Sequence, residues 1–240
     1  MDLRAIKSRA RAALRGHWAE MLALTGLSLA TNMTLTGLSV IGWWLAPVLA
    51  VKLAHPAAAY LRMEALAMRL RGRPFRPAPE TLRRRLPALM GIWAAKDGAP
   101  LALTLLGGLA RARDPMSLSG QALLAVGVML RVALGLTYYM TDYLLVDRPA
   151  LSALQALRQA RRRLSGRRLG LLELLLSYGG WALLGILAFG IFYMAVPAAP
   201  PAALILAVWA LAVPVCTDGG MGCVVFFEAL CRRPAKRGHL

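Results

Sequence analysis

Five charged residues lie inside long apolar stretches, where charged side chains often have a functional role. They are Lys52, Arg131, Asp142, Glu173 and Asp218. A charge at the depth of a lipid bilayer costs at least about 2.5–3.5 kcal/mol, so such groups normally face a helix bundle and pair. Asp218 can then form a buried ion pair with Lys52 or Arg131 that fixes helix register. The alternatives are a path for protons or a substrate, or side chains that snorkel without partners.

A glycine-rich run surrounds one of these carboxylates, Thr217-Asp218-Gly219-Gly220-Met221-Gly222. Each glycine weakens a helix by about 1 kcal/mol relative to alanine. A broken helix beside a carboxylate is typical of cation sites in transporters. Close packing against a neighbouring helix explains the same glycines. The sequence leaves both interpretations open.

Patterns that support enzymatic chemistry are missing from the sequence. The histidines are widely separated, and the cysteines lack the CxxC spacing of metal sites. These residues are His17, His55, His239, Cys216, Cys223 and Cys231. Nucleotide-binding glycine motifs and a GxSxG elbow are also missing. We therefore expect a protein that is not an enzyme, with no metal site and no cofactor.

The apolar stretches indicate which elements must position these residues. The 240 residues are 58% hydrophobic, yet 29 Lys+Arg stand against 11 Asp+Glu, for a net charge of +18. A disordered basic chain would be poor in apolar residues, and a soluble domain rarely combines the two features. Stretches long enough for a bilayer, about 20 residues per pass, predict an all-α integral membrane bundle of about six transmembrane helices. They cover 21–61 (two passes, turning at Gly42-Trp43-Trp44), 87–110, 121–146, 169–196 and 202–230.

The basic residues predict the orientation of this bundle. Most of them lie in the N-terminal tail, in 62–85, in 148–168 and after residue 231, whereas the turn at 196–201 has none. Basic loops stay in the cytoplasm, so both termini are expected there, in a bacterial cytoplasmic membrane. Anionic lipid headgroups are the expected partner of these charges. Nucleic acid is not expected, because aromatic residues for base stacking are not interleaved with the basic ones.

The third span is the least regular of the six. Lys96, Asp97, Gly98 and Pro100 interrupt it. Without this crossing, the arginine-rich segment 148–168 would lie outside, against the charge bias. We therefore expect a short or broken helix, with Lys96 and Asp97 near the cytoplasmic interface or in a buried pair.

The predicted organisation is a single polytopic membrane domain over residues 1–240. Its parts are an interfacial helix 1–17, a first hairpin 21–61, a cytoplasmic basic loop 62–85, a second hairpin 87–146, an interfacial helix 147–168, a third hairpin 169–230 and a cytoplasmic tail 231–240.

Two of the basic segments have the spacing of amphipathic interfacial helices. The first carries its apolar positions at Leu3, Ile6, Ala10, Ala13, Leu14 and Trp18. The second is expected to be capped by Asp147, with Pro149 in its first turn and leucines from Leu151 to Leu164. Arginines near an anionic leaflet contribute about 1 kcal/mol each. The residues expected to face lipid are Arg11, Arg15, Arg83, Arg84, Arg85, Arg161, Arg162 and Arg163.

A short string recurs ahead of alternate spans, at intervals of about 75 residues. It reads Ala10-Arg11, Leu14, Gly16, then Arg83-Arg84-Arg85-Leu86, then Ala160-Arg161, Leu164, Gly166. One interpretation is three repeated units of a basic helix and a hairpin. The other is that every inward-starting hairpin attracts arginine and leucine.

The sequence resembles a family of bacterial multi-pass membrane proteins, domain of unknown function 975. The resemblance rests on LRAIKSRARAALRGHW, RGRPF, and TYYMTDYLLVDRPALSALQALRQARRRLSG followed by LLELLLSYGGWALLGILAFG. A weaker likeness is to the membrane domain of some glycerophosphoryl diester phosphodiesterases. The resemblance implies a cytoplasmic-membrane protein and supplies no catalytic residue. The fourth span departs from the family by lacking Pro-Gly, and the last two spans by an extra VPAAPPAALILA stretch.

The function expected from the sequence is a non-enzymatic accessory or scaffold component that organises anionic lipid or a partner protein, or that forms homo-oligomers. The alternative is a small transporter or channel subunit with a central polar path through Lys52, Arg131 and Asp218. A transporter predicts a water-accessible cavity at these residues, whereas a scaffold predicts that they are paired in a closed bundle.

Overall fold

A computed structural model describes the backbone of residues 2–38, 45–114, 116–180 and 201–232, and the side chains of 2–31, 54–114, 116–180 and 212–232. The described residues are helical apart from short connections, and they contain no strand. The helices are α1 Leu3–Leu14, α2 Trp18–Leu38, α3 Leu45–Leu70, α4 Pro79–Trp93, α5 Ala99–Arg113, α6 Leu118–Tyr138, α7 Thr141–Asp147, α8 Ala153–Leu164, α9 168–180 and α10 Pro201–Arg232. The predicted turns at Gly42-Trp43-Trp44 and 196–201 lie largely or wholly outside the described residues.

Two helical runs among the described residues are long and apolar enough to cross a membrane. One is Leu118–Asp147, which comprises α6, a two-residue turn and α7, and the other is Ala212–Arg232 at the end of α10. They fall in the fourth and sixth predicted spans. The all-α class is therefore confirmed for the described chain.

The third predicted span contains a π-helical turn, Ala94–Gly98, between α4 and α5. The turn lies where the sequence indicated an interruption. Pro100 has no N–H to donate to the carbonyl of Lys96, so the α-helical hydrogen-bond register cannot continue through this point. The chain stays helical from Pro79 to Arg113 and expands locally instead of breaking.

The described residues group into two compact units. Unit 1 comprises those of Met1–Leu29, Arg62–Phe75 and Leu169–Leu240, and unit 2 those of Ala30–Leu61 and Arg76–Arg168. Each unit therefore combines segments that are distant in the sequence. Unit 1 contains α1, the start of α2, the end of α3, α9 and α10.

Contacts within unit 1 give the directions of its helices. Arg69 in the last turn of α3 pairs with Glu20 in the first turn of α2. Arg62 of α3 donates to the carbonyl of Cys216 and, with Leu66, lies against Gly220, so the last part of α3 packs on the middle of α10. Gly170 and Tyr178 of α9 meet α10 near Phe226 and Gly219, so α9 runs opposite to α10. The end of α3 thus meets the start of α2, and the start of α9 lies near the end of α10.

Hydroxyl-bearing residues of the first span lie in the interior, as expected for a centrally packed helix. Thr25 and Ser28 are buried in unit 1, and Thr31 is buried in unit 2. The side chains of the later hydroxyl residues in this span are outside the described set.

In unit 2, glycines bring α5 and α6 into close contact. A Cβ added at Gly107 would stand 2.8 Å from the carbonyl oxygen of Gly120, and one at Gly127 would stand 2.8 Å from Cγ2 of Thr104. Such approaches through small residues are typical of membrane helix pairs. The outer faces of the hairpin expose large apolar side chains, among them Leu106, Leu109, Leu118, Met129 and Val132.

The basic helices α1 and α8 have closely similar structures. Each has 12 residues, ends at a leucine, and is followed after one residue by a glycine with positive φ, Gly16 at 78° and Gly166 at 74°. In each, the first buried side chain is followed by a buried alanine and a buried leucine at four-residue steps: Ile6, Ala10 and Leu14, and Ala156, Ala160 and Leu164. The string noticed in the sequence thus corresponds to a shared local structure at two of its three places.

The expected cap of α8 is wrong. Asp147 is the last residue of α7, and Pro149 lies in the turn that follows. Ser152 caps the helix instead, because Ser152 and Gln155 form a capping box in which each side chain bonds the other's backbone N–H. This arrangement satisfies two otherwise free N–H groups.

Candidate functional site

The π-helical turn positions two neighbouring charges toward different partners in unit 2. Lys96 Nζ lies 3.3 Å from Oδ2 of Asp142 on α7, and Arg131 Nε on α6 lies 3.6 Å from Oδ1 of Asp97. Three of these side chains are one-sixth to one-quarter exposed, and Arg131 is 43% exposed. Two cations and two carboxylates therefore meet around one turn, with no net charge.

Two small cavities flank this turn. The first has a volume of about 40 Å³ and is lined at its polar end by His55, Lys96, Asp97 and Asp142. The second, of about 20 Å³, is lined by Asp97, Thr104 and Arg131 among others. Trp93 and Asp97 line both cavities. A cavity of 10–15 Å³ or more holds a water molecule, so both have the size of one to a few waters.

The apolar end of the first cavity is formed by side chains of α3 and α4, including Pro56, Leu89 and Ile92. His55 Nδ1 lies 3.1 Å from the hydroxyl of Thr31 on α2. The charged groups thus lie next to apolar side chains, where electrostatic interactions are stronger than in water. The arrangement can hold water molecules next to charged side chains.

A second polar cluster lies in unit 1, where α1 docks on α9 and α10. Arg9 Nη2 is 3.0 Å from Oε2 of Glu228, and Arg11 Nε is 3.4 Å from Oδ2 of Asp218. Lys7 Nζ donates to the carbonyl of Ser177 at 2.9 Å and lies 4.7 Å from the ring centre of Tyr178. Three cations of α1 are therefore directed onto the protein.

The two carboxylates show how α1 is oriented. Asp218 and Glu228 are ten residues apart, about 15 Å along α10, whereas Arg9 and Arg11 are about 3 Å apart along α1. Both pairs form at once only if the two arginines reach in opposite directions along α10. Helix α1 consequently crosses α10 instead of running beside it.

The glycine run of α10 is explained by packing. The ring of Tyr178 lies against Gly219 and Gly222, and the guanidinium of Arg62 lies against Gly220 and donates to the carbonyl of Cys216 at 2.6 Å. Helix α10 is continuous through the run, so no unwound carbonyls face Asp218. Close packing is the interpretation that the geometry favours.

Three of the predicted polar residues have described ion-pair partners, and each has a different one. Asp218 pairs with Arg11, Asp142 with Lys96, and Arg131 with Asp97, which differs from the pairing of Asp218 with Lys52 or Arg131 suggested by the sequence. Glu173 is exposed on α9. Lys52 is in α3, and its side chain is outside the described set.

Of the basic residues expected to face lipid, two are directed onto the protein. Arg85 donates to Tyr60 Oη and to the carbonyl of Leu145, both at 2.6 Å, and Arg11 pairs with Asp218. The other side chains are exposed, apart from the half-buried Arg163; they are Arg15, Arg83, Arg84, Arg161 and Arg162. The apolar stripes of α1 and α8 are buried in their own units, and Leu154 of α8 is 57% exposed.

Sequence reasoning missed several residues of these clusters. The roles of Lys7, Arg9 and Glu228 depend on contacts between residues 170 to 219 positions apart, which leave no local signal. Trp93 and His55 were also not selected. The sequence could have indicated both residues, because each lies within four residues of a charge or a proline in an apolar helix.

Comparisons with known proteins give no relative. No family model matches the chain, and no match was found among curated proteins or solved structures. The family resemblance seen in the sequence therefore stays a prediction.

Proposed function

We propose that this chain is a six-span protein of the bacterial cytoplasmic membrane, with both termini inside. Its role is that of a non-enzymatic scaffold or accessory component that organises anionic lipid or a partner protein. We also propose that the chain belongs to the family that its sequence resembles, domain of unknown function 975.

The observation that carries the proposal is the pairing of helix ends in unit 1. The end of α3 meets the start of α2, and the start of α9 lies near the end of α10. In the sequence, each of these four ends adjoins one of the arginine-rich stretches. Helix ends that meet next to basic connections support the positive-inside arrangement of a membrane bundle.

The exposed surface of the α5–α6 hairpin also supports membrane placement. In the run Leu118–Asp147, only 11% of an apolar 18-residue stretch is buried. Helix α6 exposes large apolar side chains such as Leu118, Met129 and Val132, whereas α7 is mostly buried. A soluble monomer rarely exposes a contiguous apolar surface of this extent. Acyl chains of lipids are a suitable cover for it.

The cationic face of α8 supports an interaction with anionic headgroups. Arg158, Arg161 and Arg162 are exposed, and none of the three has an acidic partner among the residues that the structure describes. The exposed Leu154 lies between Arg161 and Arg158 on the same face, because successive helical residues are 100° apart. A face of this kind fits a headgroup layer.

Lipid retention tests this role. The chain is purified in mild detergent, and the retained anionic phospholipid is measured by mass spectrometry for the wild type and for R158Q/R161Q/R162Q. We expect the variant to retain at least about twofold less anionic lipid, because each arginine contributes about 1 kcal/mol. R111Q/R113Q, at the far end of α5, is the matched control. Equal retention by the wild type and the α8 variant would contradict the lipid role.

A second candidate function is a small transporter or channel subunit. The observation that favours it is the pair of cavities that meet at Asp97, since charged residues at membrane depth often mark ion or proton paths. The path would run through Asp97, Arg131 and Asp142, and not through Asp218.

A further inference from the structure

We propose that Asp97 relays protons between the two cavities that flank the π-helical turn. The proposal rests on the second candidate function and on the membrane placement above. It does not depend on the scaffold role.

Asp97 has the position that a relay requires. Among the described residues, Asp97 is the titratable residue common to both cavities, and the other residue that lines both, Trp93, carries no titratable group. Lys96 precedes it in the turn and is directed to Asp142, so the two neighbouring charges serve different partners. A π-turn inside an α-helix is frequently found at functional sites.

The sizes of the cavities suit a proton carried by water. About 40 Å³ and about 20 Å³ accommodate one to a few water molecules. A hydrated metal cation would also have to shed its waters beside Lys96 and Arg131, two cations that repel it. A proton passes along water molecules and carboxylates without moving a solute.

The charged and polar groups around Asp97 come from several helices. Arg131 on α6 lies 3.6 Å away, Lys96 and Asp142 pair across the first cavity, and His55 on α3 lines that cavity. The Thr104 hydroxyl on α5 lines the second cavity and donates to its own helix backbone. Protonation of Asp97 removes the negative charge opposite Arg131, so release of the proton restores the pair.

The transfer conserves every atom. A protonated water in the first cavity donates a proton to a carboxylate oxygen of Asp97, which becomes a carboxylic acid. The acid then donates its proton to a water in the second cavity, and the carboxylate is restored. An arginine keeps its proton throughout, so Arg131 only compensates charge. One proton has moved between the cavities, and no other bond has changed.

Proton flux into vesicles tests the proposal. The full chain is reconstituted in phosphatidylethanolamine–phosphatidylglycerol vesicles that contain the pH-sensitive dye pyranine, with a potassium gradient and valinomycin to set the membrane potential. We expect the wild type to raise the rate of internal pH change above that of protein-free vesicles. Asp97→Asn should lower this protein-dependent rate at least about tenfold, since a positioned proton-transfer group typically contributes 10²–10⁴-fold. Asp97→Glu, which keeps a carboxylate, should retain most of it.

Asp114→Asn is the matched control, because Asp114 is exposed beyond the end of α5 and lines neither cavity. It should conduct like the wild type. Wild-type flux no higher than that of protein-free vesicles, or equal flux in Asp97→Asn, would overturn the relay. Flotation of the same vesicles separates this failure from that of the membrane proposal: a chain that floats with lipid and does not conduct refutes only the relay, and a chain that does not float refutes both.

Discussion

At the scale of single residues, the carboxylate of Asp218 holds a basic helix in place. One of its oxygens pairs with Arg11, and the other is buried without a hydrogen-bond partner among the described residues. Arg9 and Glu228 form the second contact of the same kind, and Arg232 also reaches Glu228 at 2.7 Å. The carboxylates of Asp218 and Glu228 therefore hold α1 against α10.

Replacing Asp218 with Asn should loosen α1. The amide has no charge with which to form an ion pair to Arg11, and an exposed pair of this kind contributes about 0.2–1 kcal/mol. Hydrogen–deuterium exchange in detergent should speed up in residues 3–14. Glu173→Gln is the control, because it removes a carboxylate at an exposed position of α9. The charge swap Arg11→Asp/Asp218→Arg should restore part of the protection. Unchanged exchange of residues 3–14 in D218N would contradict the docking role.

The glycines of α10 give a second residue-scale prediction. A Cβ at Gly222 would stand 2.6 Å from Tyr178 Oη, whereas one at Gly219 would make an ordinary contact of 3.7 Å with the same ring. Gly222→Ala should therefore lower the free energy of unfolding by about 1–2 kcal/mol, as overpacking does. Gly219→Ala should be neutral or stabilising by up to about 1 kcal/mol through helix propensity. Thermal unfolding in detergent measures both, and equal effects would rule out packing as the reason for the run.

At the scale of elements, small residues bring α5 and α6 into close contact. The contact passes through Gly107, Gly120 and Gly127, with Thr104 and Leu124 filling the gaps between them. Without a hydrophobic driving force between helices in lipid, such close approach supplies much of the association energy. The pairing should therefore be sensitive to a single methyl group.

Two adjacent glycines of α5 test this sensitivity. A Cβ at Gly107 would meet the backbone of α6 at 2.8 Å, and one at Gly108 would meet nothing within 4 Å. Gly107→Ala should cost about 1–3 kcal/mol of stability, because backbone cannot move aside as a side chain does. Gly108→Ala has the same chemistry and should be neutral or slightly stabilising. A crosslink between cysteines introduced on α5 and α6 reports the pairing, and equal crosslinking of both variants would disprove the close contact.

At the scale of the whole molecule, the orientation in the membrane can be tested by labelling. In the proposed six-span topology, the segment after α3 and the segment between α5 and α6 lie on opposite sides, because the third span separates them in the sequence. In a chain whose native cysteines are replaced by serine, an impermeant maleimide on intact cells should label Met116→Cys, an 83% exposed position, and not Arg73→Cys. Both should react after permeabilisation. Labelling of the two positions from the same side would contradict the topology.

The sequence predicted features with local causes. The helical class follows from apolar stretches, and the irregularity near Lys96 follows from Pro100, which cannot donate a hydrogen bond. The prediction for the start of α8 was wrong because Asp147 and Ser152 are both residue types that cap helices. Ser152 is the cap because it has Gln155 three residues later, with which it forms a capping box.

Partners across long separations could not be predicted. Arg11 and Asp218 are 207 positions apart, and many arginines in the chain had the right charge for Asp218. Charge alone does not choose among them, since the choice depends on which helices pack together. The same limit applies to Lys96 and Asp142, whose pairing follows from the meeting of the π-turn with α7.

The docking of α1 on α10 has a consequence for biosynthesis. Its carboxylate partners emerge from the ribosome about 200 residues after the arginines that bind them, a delay of roughly 10–40 s at usual translation rates. During that interval, Arg9 and Arg11 of α1 lack the carboxylates with which they pair in the full chain. In a polypeptide that stops before Asp218, α1 cannot form these two ion pairs. Its exposed amino-terminal segment should then be a target for proteolysis. Pulse-chase measurement of the lifetime of chains truncated at residue 212 would test this.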